Sequence, residues 1–118
     1  MGMTKIDAVE ELGTPAVLEM CAEECVELAH ACLKLARKIR DDNPTPKTVE
    51  ECTNALAEEM GDMYLCMRLV TETELVSLES IESWALEKQT RMYHRLVERK
   101  AEKSKKELDV MSRYMKGE

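Results

Sequence analysis

Two short acidic clusters carry residue types and spacings that could do chemistry. Glu23, Glu24 and Glu27 lie in "EECVE", and Glu59 and Asp62 lie in "EEMGD". At about 100° per residue, Glu24 and Glu27 share one helix face, as do Glu59 and Asp62. The second pair keeps apolar company. Cys52, Leu56, Met63, Met67 and Val70 form one arc of the wheel, with Ala55, Cys66 and Leu69 flanking it. Glu59 falls between these two groups, and Asp62 falls near Ala55, Cys66 and Leu69. Glu58 lies further round, toward solvent. A carboxylate is costly on an apolar face, and no base follows Glu23–Glu27 until Lys34. Two antiparallel helices would set Glu24 and Glu27 opposite Glu59 and Asp62. Four converging carboxylates need cations, and oxygen-only ligation suits Mg2+, or Mn2+, better than zinc. The plain alternative for an E-E-x-x-E run is a solvated helix face. It is the inward-facing second pair that argues for a site.

The rest of the chain must supply those helices. Its 118 residues make room for one domain or one protomer of an assembly. With no Phe, one Trp, three Tyr and nine Met, any core is aliphatic and Met-rich. Helix formers dominate and no segment alternates like a strand, so the fold class is all-α. A short first helix reads from "MTKIDAVEELG", with Thr4 as N-cap and Gly13 as stop. Thr14-Pro15 opens a second helix running to about Arg40, where "DDNPTPK" breaks it. A third begins near Thr45-Pro46 or Thr48 and runs to about Val70, with Thr48 and Glu51 forming a capping box. After a pause at "TETE", Leu75, Leu78, Ile81, Ala85 and Leu86 give a fourth amphipathic stretch. These elements suggest an antiparallel bundle of four to five helices, its core completed by oligomerisation as a homodimer or homotetramer. The chain reads as a single domain over 1–118, with 96–118 a basic helical extension.

Charge and cysteine usage narrow the partners. Residues 1–87 hold 7 bases and 19 acids, net -12, whereas residues 88–118 hold 10 bases and 5 acids, net +5. The acidic body argues against a nucleic-acid binder. No apolar run is long enough for a membrane span or a secretory leader. Cys21, Cys25 and Cys32 recur at helical spacing, as small buried hydrophobes would. With no CxxC, a reduced cytoplasmic protein is the simplest expectation.

Glu23-Glu24-Cys25-Val26-Glu27 followed by Glu59-Met60-Gly61-Asp62 resembles the E-E-x-x-E and E-x-x-D motifs of the MazG-like members of the all-α NTP pyrophosphatase superfamily. The flanking "AEECVELAHACLKLARKI" and "LAEEMGDMYLCMRLV" are similar to that family's two core helices, over about residues 14–95. One departure is the separation of Glu27 from Glu59 by thirty-one residues, longer than in compact members. The resemblance implies a nucleotide pyrophosphohydrolase, a hydrolase of phosphoric anhydride bonds that converts a nucleoside triphosphate to the monophosphate and pyrophosphate with Mg2+. It implies Glu24, Glu27, Glu59 and Asp62 as metal ligands. Glu23 matches the first acid, as a catalytic residue orienting water or as a further ligand. Within "EKQTRMYHR", Lys88 and Arg91 resemble a downstream K-x-x-R segment that would contact the substrate's phosphates. Pairing of these bases with Glu87 or Glu98 is the alternative.

Base recognition is not legible. Trp84, beside Ile81 and Ala85, reads as packing, with base stacking as the alternative, and Asn54 and His30 are possible polar readers. Two other functions compete. Glu27-Leu28-Ala29-His30 matches one half of a ferritin-like di-iron signature, but the second half is missing. A non-enzymatic helical interaction protein would explain the Met-rich faces and the tail, but gives no reason for Glu59 and Asp62 to face inward.

Overall fold

A computed structural model describes residues 6–41 and 46–117. The order is α1 (Ala8–Leu12), α2 (Thr14–Arg40), α3 (Val49–Glu72) and α4 (Leu78–Met115), with no strand among the described residues. The chain is all-α. It divides into two compact units, Met1–Ser77 and Leu78–Glu118. This division falls at the turn before α4.

Local chemistry sets the helix ends. Asp7 caps α1, its side chain accepting from the Glu10 N–H at 3.1 Å. Thr4, expected in that role, lies outside the described residues, and the helix begins later than the sequence suggested. Gly13 ends α1 and opens α2. Its N–H donates to the Val9 carbonyl at 2.8 Å, and its own carbonyl accepts from Val17 at 3.1 Å. It does both at φ +87, a conformation glycine adopts without a Cβ clash. Pro15 sits in the first turn of α2, where an N–H is not needed. Arg37, Lys38 and Arg40 occupy its last turn, complementing the exposed carbonyls.

The segment entering α3 behaves as its sequence indicates. Thr48 Oγ1 accepts from the Glu51 N–H at 3.1 Å while Glu51 Oε1 accepts from the Thr48 N–H at 3.4 Å, a complete capping box. Thr45, the other proposed start, lies outside the described residues. At the far end, the Thr73 hydroxyl donates to the Val70 carbonyl, and Glu74 turns the chain at φ +67. α3 therefore ends at "TETE", and the next helix begins at Leu78 rather than Leu75.

α2 and α3 form the main packing contact of the first unit, with α1 against both. Their pairing runs in opposite senses: Cys25 meets Met63 at 3.6 Å, whereas Ala31 shares a cleft with Cys52 and Ala55. The buried residues are few and small: Val17, Ala31, Cys52, Cys66 and Leu69. Cys25 and Cys32 are exposed, so the expectation of buried cysteines on α2 is corrected. The buried thiols are on α3, whose inward stripe contains Cys52 and Cys66.

α4 spans 38 residues, about 57 Å at 1.5 Å per residue. It contains no buried residue, and Trp84 is exposed rather than packed. Contacts within the helix include Gln89 Nε2 donating to the Tyr93 hydroxyl at 3.1 Å and the Thr90 hydroxyl donating to the Leu86 carbonyl at 3.0 Å. Arg91 donates to Glu87, one turn back. Among the described residues, no helix is long and apolar enough to cross a membrane.

Candidate metal centre

Glu24 from α2 meets Glu59 and Asp62 from α3. One carboxylate oxygen from each lies within 4.8 Å of the others. Spacing of three places Glu59 and Asp62 on one face of α3, and the α2–α3 contact turns that face toward Glu24. Among the described residues, these three form the one group of His, Cys, Asp or Glu side chains whose donor atoms converge in this way.

The surroundings explain the electrostatics. Glu24 and Glu59 are half-buried, whereas Asp62 is exposed. Burial first holds the Glu24 carboxyl above its usual range. The negative charges of Asp62, Glu27 and Glu23, and a hydrogen bond with Asp62, add to the effect. Glu59 is raised likewise, by burial and then by Asp62, Glu24, Glu27 and Glu58. Its Oε2 atom is buried and has no hydrogen-bond partner. An unpartnered buried oxygen costs free energy, because it has given up water without gaining a partner. A bound cation would give it a partner.

Sulfur lies close to the carboxylates. Cys66 is buried, and its thiol is pushed up by burial and then by Cys21, Glu24, Asp62 and Cys25. Cys21 is raised by burial and by Cys25, whose Sγ lies 3.6 Å from Met63 Sδ. These groups form a low-polarity flank that strengthens the repulsion among the carboxylates. The thiols do not join the converging oxygens, so the donor set is hard and suits Mg2+ or Mn2+.

The remaining expected residues fall around this triad. Glu27 lines an adjoining cleft of about 210 Å³ with Glu59, His30, Ala31, Lys34, Lys47, Cys52 and Ala55. Glu27 therefore borders the triad without joining it. Glu23 is exposed and acts on Glu24 through its charge. His30, the histidine of the di-iron half-signature, lines the cleft instead of joining the oxygens. Lys88 and Arg91 lie on α4, where the Arg91 guanidinium is engaged by Glu87. Lys34 and Lys47 were not singled out from the sequence. Lys34 had one available signal, its position seven residues after Glu27, which returns it to the same helix face.

A second, apolar groove of about 210 Å³ is lined by Leu28, Met60, Met63, Tyr64 and Met67. Compared with known proteins, the chain matches no family model, no curated protein and no solved structure.

Proposed function

We propose that this chain is a Mg2+-dependent nucleoside triphosphate pyrophosphohydrolase of the MazG-like type, releasing pyrophosphate and a nucleoside monophosphate. The observation that carries this reading is the convergence of Glu24, Glu59 and Asp62, with Glu59 Oε2 buried and unpartnered. A purely structural helix pair gains nothing from three carboxylates within 4.8 Å of one another. A protein that binds a dication there gains a site.

The residues divide the work as follows. Glu24, Glu59 and Asp62 would hold Mg2+, with Glu27 next to them as a further oxygen donor. When bound, the ion supplies charge neutralisation at the phosphate oxygens and a bound water of lowered pKa. Glu23, exposed and next to Glu24 in sequence, would accept a proton from an attacking water. Half-burial of Glu24 and Glu59 sets these two carboxylates where electrostatic interactions are stronger than in water, while Asp62 stays exposed. Lys88 and Arg91 remain candidates for phosphate contact through α4.

We further propose that the unit is completed by a second copy as a homodimer or homotetramer. Met60 and Tyr64 are exposed and line the Met-rich groove with Leu28, Met63 and Met67. An exposed patch of this kind favours association. The five free cysteines suit a reducing, cytoplasmic setting.

A screen of common and damaged nucleoside triphosphates, read by pyrophosphate release with and without Mg2+, tests the activity. Release with at least one substrate, absent without the ion and absent in Glu59→Gln, is expected. A purified chain that binds Mg2+ yet hydrolyses none of them would overturn the enzymatic reading. Light scattering of the purified protein reads the assembly state.

A further inference from the structure

The cleft beside the triad joins opposite charges along one groove. From α2 it takes Glu27, His30, Ala31 and Lys34; from α3 it takes Cys52, Ala55 and Glu59; and Lys47 enters from the segment before Thr48. Lys34 follows Glu27 by seven residues, which puts it about 10 Å further along α2 on the same face. Ala31 lies between them. Ala31 and Cys52 are buried and Ala55 is half-buried, so small side chains between the helices leave the space open.

The bases of the first unit cluster in sequence at one end of α2 and the segment that follows it. Those described are Lys34, Arg37, Lys38, Arg40, Lys47 and Arg68, and all but Arg68 fall between positions 34 and 47. Six carboxylates lie at 23–27 and 58–62, while Asp41, Glu50 and Glu51 share the end that holds these bases. Among the described residues, neither Lys34 nor Lys47 takes part in an ion pair, whereas Arg91 pairs with Glu87.

We propose that this cleft seats a linear polyphosphate chain, with its metal-bridged oxygens at the Glu24–Glu59–Asp62 end and its far phosphates received by Lys34 and Lys47. The inference rests on the reading of the triad as a dication site. A ligand that satisfies both ends must carry a cation at one and negative charge at the other. A metal-bound run of phosphoanhydrides does so, over a length of the same order as the Glu27–Lys34 rise. An ammonium meets phosphate as a compact point charge without the planar geometry an Arg needs, which suits two flexible side chains at the rim. Arg91, by contrast, is held by Glu87 within its own helix.

The test uses the full chain at low ionic strength, where charge contacts are least screened. Thermal shift and calorimetry would follow Mg2+ alone, then Mg2+ with inorganic tripolyphosphate, then Mg2+ with each of the four common nucleoside triphosphates. Tripolyphosphate is expected to bind the wild type only with Mg2+. Lys34→Gln and Lys47→Gln should each weaken it about tenfold, the loss of one charged contact. Both variants should keep the stabilisation given by Mg2+ alone. Equal affinity for tripolyphosphate and nucleotides supports the seat with inorganic polyphosphate as its source. Tighter nucleotide binding, still lost in the double lysine variant, supports it with nucleotides as the source. Undiminished binding of tripolyphosphate by the double variant overturns the inference and leaves the triad reading standing. Failure of Mg2+ to stabilise the wild type overturns both.

Discussion

Glu24 and Glu59, on successive helices, bring carboxylate oxygens within 4.8 Å of each other and of Asp62. Each carboxyl is held above its ordinary range by burial first and by neighbouring acids second. The ionised pair is therefore disfavoured in the folded chain, and protonation or a bound cation would relieve it. That contrast supplies the first two predictions.

Glu59→Gln and Asp62→Asn should keep the helical fold while losing hydrolysis and the thermal stabilisation by Mg2+. Removing a ligand should lower turnover by at least about a hundredfold, since even outer partners of a metal site cost tenfold to a hundredfold. The metal-free variants should melt no lower than wild type, because a repulsive charge has gone. Circular dichroism melts with and without Mg2+, together with pyrophosphate assays, check all three outcomes. Full activity in both variants would remove the mechanism.

The pH dependence has a definite sign. Glu24 and Glu59 are raised in the folded chain, so the unfolded chain loses its protons first as pH rises. Their contribution to stability is present at low pH and is lost as pH climbs from the ordinary glutamate value, about 4.3, through the raised folded values. Chemical denaturation of the metal-free protein across this window should show the decline, after comparison with Glu59→Gln to isolate the site. Saturating Mg2+ should flatten the fall or reverse it. A site-specific rise with pH in the absence of metal would contradict the packing described.

Thr48→Ala should cost about 1 kcal/mol, the usual effect of losing an N-cap hydroxyl. It removes the acceptor for the Glu51 N–H and frees the segment that carries Lys47. Urea melts give the stability. If Lys47 receives phosphate, tripolyphosphate binding should weaken by more than Mg2+ binding does.

Thiol labelling reads the helix faces. Cys25 and Cys32 are exposed, while Cys52 and Cys66 are each only 3% exposed, and the Cys66 thiol is also pushed up. Because the thiolate is the reactive form, Cys32 should be alkylated well before Cys66 in the native chain. In denaturant the difference should vanish. Mass spectrometry of peptides after timed labelling measures it.

Much of the fold was legible because its signals are local. Gly13, Pro15 and the Thr48–Glu51 box mark helix ends through backbone chemistry that needs no distant partner. The 3.6-residue period likewise put Glu59 and Asp62 on one face of α3. Local signals misled where burial depended on a neighbour. Cys25 and Cys52 both sit in amphipathic helices, yet only the packing of α2 on α3 exposes one and buries the other.

The sequence by itself determined the helices, their breaks and the two acidic pairs, because propensity, capping and periodicity act within a few residues. Tertiary structure alone decided that Glu24 joins Glu59 and Asp62 while Glu27 turns to the neighbouring cleft with Lys34 and Lys47. That choice depends on the register between two helices. A shift of one residue rotates a side chain by about 100°, and no local pattern specifies where the opposite helix will stand.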